Sequence, residues 1–533
     1  MLLRRSHPTN FAKVATANIQ RSAFNRSFGY KTTFDSGYLI PFFCQEVLPG
    51  DTHTVKPLIF ARLSTPIVPF MDNLYLDTFF FFVPNRLVWE HWKEFCGEQK
   101  NPGDSIDYII PMLTAPSGGY DVGSVYDYFA LPTGVGNFKH SALPFRAMNL
   151  IYNEWFRDEN LQDSLPVNLT DSTADETYSL FRRGKRHDYF TSCLPWPQKG
   201  PGVELPLTGN APICFDGPPN PGTLSVPEIQ WIGTPSGSPS GYHYSLEHDM
   251  NGSYVTISQD QGSWPPSGTT ARNLVADLSS VSSATINSLR QAFQIQRLLE
   301  RDARGGTRYI ELILSHFGVK SSDARLQRPE YLGGGSSPII VNPVMQTSAT
   351  GQDSTPQGNL SAFAYVNHKK GGFSKSFEEH GYIIGFMSVR ADLNYQQGLQ
   401  RFWSRSTRYD FYWPVLAHLG EQAVLNKEIY CQGTEEDEKV FGYQERWAEY
   451  RYEPNKITGK MRSTYAQSLD IWHLAQKFDS LPVLNDEFIQ DNPPVKRVLA
   501  VQDEPEFIAD VWFNYSCVRP MPVRSTPGLV DHF

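Results

Sequence analysis

The sequence predicts an antiparallel β-sandwich with long loop insertions that carry a few helices. Three observations predict it. Short aromatic and β-branched runs stand near both ends of the 533-residue chain, and the stretch between them is not a βαβ series. Aromatic residues make up 13% of the chain, enough for a large core and against bulk disorder. Glycine (40) and proline (39) are frequent and cut the chain into short elements. The same composition excludes other classes. Charged residues are 19%, far below what a coiled coil needs. The net charge of −9 excludes a globally basic nucleic-acid binder, so any such role sits in a local patch. Leu74 to Val83, the most apolar stretch, is interrupted by Asp77 and falls short of the ~18 residues of a membrane span. MLLRRSHPTN lacks the apolar core of a secretory signal. The six cysteines form no C-x-x-C and are expected to be mostly reduced core thiols.

Taken in order, residues 1–34 hold six cations (Arg4, Arg5, Lys13, Arg21, Arg26, Lys31) and no acid, with poor apolar periodicity. An extended basic arm is expected there. Strands are expected at Tyr38–Val47, Thr54–Leu63 and Tyr75–Val83, separated by turn-forming Pro-Gly-Asp and Ser-Thr-Pro. Lys56-Pro57 marks the second as an edge strand or a bulge. Leu87–Phe95 reads as a short helix and Pro144–Phe156 as another, with Met148, Ile151, Tyr152 and Trp155 at helical spacing. Residues 195–268 hold 13 Pro and 11 Gly, and Lys199 stands alone against six acids. That is a long, acidic, exposed insertion with aromatic anchors. Ile286–Arg304 is the clearest helix, capped by Thr285 and ended by Gly305-Gly306, with Tyr309–Phe317 continuing helically. Gly333–Gly335 reads as a break, and a Pro/Ser/Gly loop is expected near 343–359. Strand-like runs follow at Tyr382–Val389, Val498–Val501 and Phe507–Tyr515. Early and late strands must then pair, as in an eight-stranded jelly roll that spans only part of the chain. Four parts result: a basic arm at 1–34, first strands with helical insertions at 35–194, the acidic insertion at 195–268, and a helical insertion with the remaining strands at 269–533.

Catalytic signatures are missing. No phosphate-binding G-x-x-x-x-G-K-[ST], nucleophile elbow G-x-S-x-G, H-E-x-x-H or calcium loop occurs. His243, Glu247, His248 and Asp249 could suit a metal, as could His368, Glu378, Glu379 and His380. Both groups sit in loop-like sequence with nothing to orient the ligands, and solvated polar residues are the expectation. The adjacent acids Glu435 to Glu438 are expected to be a solvated loop. We therefore expect no catalytic residue, no metal and no cofactor. The arm is more informative. Arg4, Arg5, Lys13, Arg21 and Arg26 interleave with Phe11, Phe24, Phe28 and Tyr30, and cations with stacking faces suit contact with DNA; the alternative is a mobile basic tail or one that laces neighbouring subunits. Arg297, Arg301, Arg304 and Arg308 form a basic stripe expected to pair with nearby acids.

Long strings then carry a resemblance. FNRSFGYKTTFDSGYLIPF (24–42), LDTFFFFVPNRLVWEHWKEFCGE (76–98), the block from INSLRQAFQIQRLLERDARGG to PEYLGG (286–334), ERWAEYRYEPNKITGKMRS (445–463) and PGLVDHF (527–533) are similar to the major capsid protein of gokushoviruses, single-stranded DNA phages of the Microviridae. The resemblance implies a viral jelly roll in a T=1 icosahedral shell of sixty copies, with pentamer and threefold contacts, around circular single-stranded DNA. It implies an internal scaffolding protein, a small basic DNA-binding protein, a minor pilot protein and a host surface receptor as partners. Assembly in the bacterial cytoplasm and no membrane insertion go with it. It also implies that an insertion forms a threefold protrusion. Residues 195–268 are the expected insertion, with Trp231, Tyr242, Tyr244 and Trp264 packing where three copies meet. The other functional class to weigh is a jelly-roll carbohydrate-binding protein or glycan-active enzyme, whose exposed Trp and Tyr would stack on sugars.

Overall fold

The computed structural model describes residues 19–174, 176–203, 213–215, 243–248, 255–260, 274–276, 286–305, 308–318, 327–348 and 357–524. The chain divides into two compact units, Met1–Lys199 with Glu300–Phe533, and Gly200–Leu299.

The first unit is built on ten strands. Five come early: β1 (Ser22–Asn25), β2 (Phe28–Phe34), β3 (Ile40–Val47), β4 (Thr52–Leu63) and β5 (Leu74–Pro84). A small ladder of β6 (Met112–Thr114) and β7 (Lys139–Ser141) follows, with the helices α1 (Trp92–Phe95), α2 (Val125–Tyr128) and α3 (Leu143–Ile151). The second unit holds two short antiparallel ladders. They are β8 (Ile213–Phe215) with β11 (Leu274–Ala276), and β9 (His243–His248) with β10 (Val255–Asp260). Helix α4 (Ile286–Arg304) and helix α5 (Tyr309–Phe317) return the chain to β12 (Glu330–Met345), β13 (Leu360–His368), β14 (Phe373–Ser376) and β15 (Gly381–Ala391). A second long excursion carries the β16 (Glu421–Leu425) and β17 (Val440–Glu445) hairpin before β18 (Phe507–Arg519) closes the sheet.

Sheet order is β1-β18-β4-β13-β12-β5-β15-β3, with β2 also on β18 and β14 also on β4. Every ladder in it is antiparallel. The 16-residue β12 curls the sheet: its first part pairs with β5 and Ile340–Met345 pairs with β13. This makes the two layers of an all-β jelly roll with loop insertions. Early and late strands pair as expected, since β18 lies between β1 or β2 and β4.

Burial explains the sequence texture. Along β18 odd residues are buried and even ones exposed, so one face meets the core and the other meets solvent. Along β5 nearly every residue is buried, because both faces are covered. Phe80 and Phe82 enter the sandwich core, whereas Phe81 and Val83 enter a second cluster with Trp89 and the Leu143, Phe145, Met148 and Ile151 face of α3. The unbroken FFFFV run is thus a strand between two cores. A third cluster gathers Tyr189, Phe190, Val424, Ile429, Phe441 and Phe488 from the two excursions.

Several expectations are corrected. From Ser22 onward the basic segment is two strands paired to β18, not an extended arm. Strand β4 is central rather than an edge. Pro57 lies where β14 has ended at Val55 and β13 has not begun before Ile59, so its missing N–H leaves no gap on that side. Gly333–Gly335 belong to β12: a Cβ on Gly335 would lie 2.8 Å from the Lys370 Cβ and 2.9 Å from the Gly371 nitrogen, so glycine permits the crossing chain. The helix expected over Leu87–Phe95 is confined to Trp92–Phe95, and Val495–Val498 is a 3-10 turn with only Leu499 bridging, to Pro66. Helices α3, α4 and α5 lie where expected; Thr285 lies outside the described residues. Cys44, Cys96, Cys193, Cys431 and Cys517 are free; Cys193 and Cys517 are core thiols, but Cys96 and Cys431 are exposed.

Candidate nucleic-acid interface

The N-terminal cations divide into two groups. Arg4, Arg5 and Lys13 lie outside the described residues. Arg21 donates to Thr52 Oγ1 at 3.0 Å. Arg26 donates to the Tyr515 hydroxyl at 3.0 Å and to Gln45 Oε1 at 2.7 Å, with its guanidinium 5.1 Å from the Tyr515 ring centre. Both arginines therefore pin the first strand to the sheet. Lys31 is exposed and pairs with Asp510 at 2.7 Å.

Behind Arg26 runs a buried hydrogen-bond chain. The Arg26 donation leaves the Tyr515 O–H for His53 Nδ1 at 2.8 Å, and His53 Nε2–H then reaches Asp51 Oδ2 at 3.1 Å. Leu48 N and Arg519 Nε also donate to that oxygen, each at 3.0 Å. Asp51, His53 and Cys517 have the composition of a metal site, with their ligand atoms within 4.8 Å of one another. The guanidinium on Asp51 already supplies the positive charge a cation would bring, and each imidazole nitrogen has a partner. The chemistry is that of a structural relay.

Burial pushes His53 below its ordinary pKa, as it does His140 and His368. Each is held neutral when folded, so its contribution is present above the unfolded value near 6.5 and is lost as the pH falls. Burial raises Asp491 to about 7, and its contribution runs the other way, being lost as the pH rises toward 7. Thermal unfolding of the intact chain should shift downward from pH 7 to pH 5. Burial also raises Glu159, Glu421, Glu428 and Glu506, which oppose the histidines in the same sense. Asp491→Asn, which removes one of these opposing titrations, should steepen that shift; an unchanged slope would contradict the assignment.

The other candidates are used by the fold. His368 bonds Thr78 Oγ1 at 3.0 Å and Ser337 Oγ at 2.9 Å, while Glu379 pairs with Arg86 at 2.6 Å, so no ligand set forms there. Of the insertion group, His243, Glu247 and His248 stand on β9 and Asp249 is outside the described residues. Arg304 pairs with Glu421, and Arg308 with Glu159 and Glu311. A cavity of about 880 Å3 is lined by Arg183, Arg304, Arg308 and Arg390 beside Phe79 and Trp155. Its cations are answered by carboxylates, since Arg183 and Arg390 share Asp77. Tyr244 lies on β9 opposite Gln259; Trp231, Tyr242 and Trp264 are outside the described residues. Among the described residues no helix is long and apolar enough to cross a membrane.

The two layers differ on their outer sides. That of β5 and β15 is packed under the second core. That of β4, β13 and β18 leaves Phe60, Phe363, Ile508 and Trp512 exposed. Sequence reasoning missed these four because apolar residues are normally assigned inward; the polar Asp510 and Asn514, in step with Ile508 and Trp512, were the available signal on β18.

Fold and site define a structural jelly-roll protein, whose ionisable groups hold the framework and whose insertions cover one face of it. The chain belongs to the family described as Capsid protein (F protein), which matches residues 12–529. It is 50% identical to "Capsid protein VP1" of Bdellovibrio phage phiMH2K, with 99% of each chain covered. It is 47% identical to "Capsid protein VP1" of Chlamydia phage 1, with 97% of each chain covered. It is 37% identical to that of Spiroplasma virus 4, over 98% of this chain and 97% of the relative. The resemblance to gokushovirus capsid proteins is borne out. The chain is a virion component that assembles with its own copies into a shell, a structural role and not an enzymatic one.

Proposed function

We propose that the protein forms a T=1 icosahedral shell enclosing circular single-stranded DNA, with the 195–268 insertion as the threefold protrusion that meets the host. The observation that carries this reading is likeness to capsid proteins of phages over essentially the whole chain. Expression with the internal scaffolding protein should yield uniform closed particles by electron microscopy; only small soluble species would contradict it. The small basic DNA-binding protein and the minor pilot protein are the further partners expected inside.

Charge supports the direction of each end. Residues 1–34 carry six cations and no acid, which suits packaged phosphate. Because Arg21 and Arg26 serve the sheet and Lys31 pairs with Asp510, the test falls on the other three. Arg4, Arg5 and Lys13 changed to Ala should leave shells closed but lower their DNA content several-fold. Normal genome content would remove the role.

Residues 195–268 hold one lysine against six acids and would repel phosphate at ranges within the ~8–10 Å screening length. An outward loop avoids that cost, and Trp231, Tyr242, Tyr244 and Trp264 gain burial if copies meet ring to ring. Replacing Gly209–Gly262 by a short Gly-Ser bridge should give particles that close but do not adsorb to the host. Failure to close would assign the loop to the shell contact instead, and unchanged adsorption would remove the receptor role.

A further inference from the structure

We propose that the uncovered face of β2, β18, β4 and β13 is a stacking platform for single-stranded DNA; this rests on the packaging reading above and assigns it a surface.

The platform is set by strand register. Even residues of β4 and β18 and odd residues of β13 point away from the core. Ile508 faces Arg62, which faces Tyr365; Asp510 faces Phe60, which faces Asn367; Trp512 faces Leu58. Phe60 is 51% exposed, Trp512 48% and Phe363 40%, high values for large rings at the middle of a sheet. Their spacing is regular. Phe60 and Tyr365 have ring centres 6.2 Å apart, and Phe363 and Tyr365 are 5.9 Å apart with planes within 10°. Trp512 lies across Gly29, where a Cβ would be 3.6 Å from its Cε3, and its indole N–H donates to Asn514 Oδ1 at 3.0 Å. The rings are thus fixed by the ladders before any ligand arrives, which lowers the ordering cost of binding.

Two independent observations select the occupant. The first is charge. The outward positions of these strands carry Lys31, Lys56 and Arg62 against the single carboxylate Asp510, in a protein of net charge −9. A phosphate backbone needs such cations, and its bases need planar faces that accept any sequence. The second is topology. The other layer has no free outer face, because the chain's own insertions pack on it. The acid-free N-terminal segment joins the platform's layer through β1, which pairs with β18. A rival aromatic surface exists at 402–413, but there Arg408 lies 4.9 Å from the Trp413 ring centre and Arg405 4.3 Å from that of Tyr450. Those two cations stack on the chain's own rings, and this surface, unlike the sheet face, is not set by a strand ladder.

The test uses purified particles. After ultraviolet irradiation and digestion, peptides bearing covalent nucleotide should map to β18, β4 and β13, at Trp512, Phe60, Phe363 or Tyr365. Particles that contain DNA but give adducts only elsewhere, at 402–413 or the N-terminal segment, would overturn the platform and leave packaging intact. Particles without DNA would overturn the packaging reading and the platform with it. A second arm uses the unassembled full chain and a twelve-residue oligothymidylate. Phe60→Ala with Trp512→Ala should weaken binding at least tenfold at one fixed salt concentration while the chain still unfolds cooperatively as a folded protein, since about half of each ring is already exposed. Unchanged affinity would overturn the proposal, as would protection of this face by a protein partner in the particle.

Discussion

Phe513→Ala should cost about 3–5 kcal/mol of folding stability, the range for deleting a fully buried aromatic ring. Phe513 is 0% exposed. Its ring meets Phe28 at 4.9 Å, Phe43 at 5.0 Å and Phe42 at 5.3 Å. These partners come from β2 and β3, and Phe42 and Phe43 in turn meet Phe80 of β5, each at 5.7 Å. The ring is therefore where the last strand, the first strands and the opposite layer touch, and little around it can collapse into the space left. Urea unfolding of the unassembled chain measures the loss. A change below about 1 kcal/mol would mean that the two layers do not pack through this cluster.

Glu176→Ala should be comparably damaging, at about 3–5 kcal/mol, for an electrostatic reason. Arg146 on α3 is fully buried. Its Nη2 reaches Glu176 Oε1 at 2.6 Å and its Nε reaches the same oxygen at 3.1 Å, with further donation to the Val88 and Ser172 carbonyls. Removing the carboxylate leaves a guanidinium that cannot lose its charge inside an apolar cluster. The double change Arg146→Met with Glu176→Leu should recover most of the loss, because apolar groups of similar volume need no partner. If the single change is tolerated, the helical cover over β5 and β15 is not held by this pair.

What was legible in the sequence follows from local pattern. The β-branched and aromatic run Phe507–Tyr515 announced a strand, and the periodicity of Ile286–Arg304 announced its helix. Strand β13 was missed because its buried positions include Ala362 and Ala364 while Phe363 and Tyr365 face outward, the reverse of the usual assignment. Strand β12 was missed because its glycines answer a chain that crosses them 35 residues later, which no local window contains. Arg21 and Arg26 read as free cations because their partners are distant: Tyr515 stands 489 residues from Arg26. His368 proved to be engaged with the Thr78 and Ser337 hydroxyls and Glu379 with Arg86, partners that only the fold brings near.

In a closed particle the uncovered sheet face should turn toward the packaged strand. Electron cryomicroscopy of nuclease-treated particles, at a resolution that traces the chain, tests it most directly. Sixty copies are expected, with Trp512, Phe60 and Phe363 on the inner surface beside ordered nucleotide density, and the insertions over β5 and β15 outside. Particles in which those three rings face the exterior, or lie buried between neighbouring subunits, would contradict it.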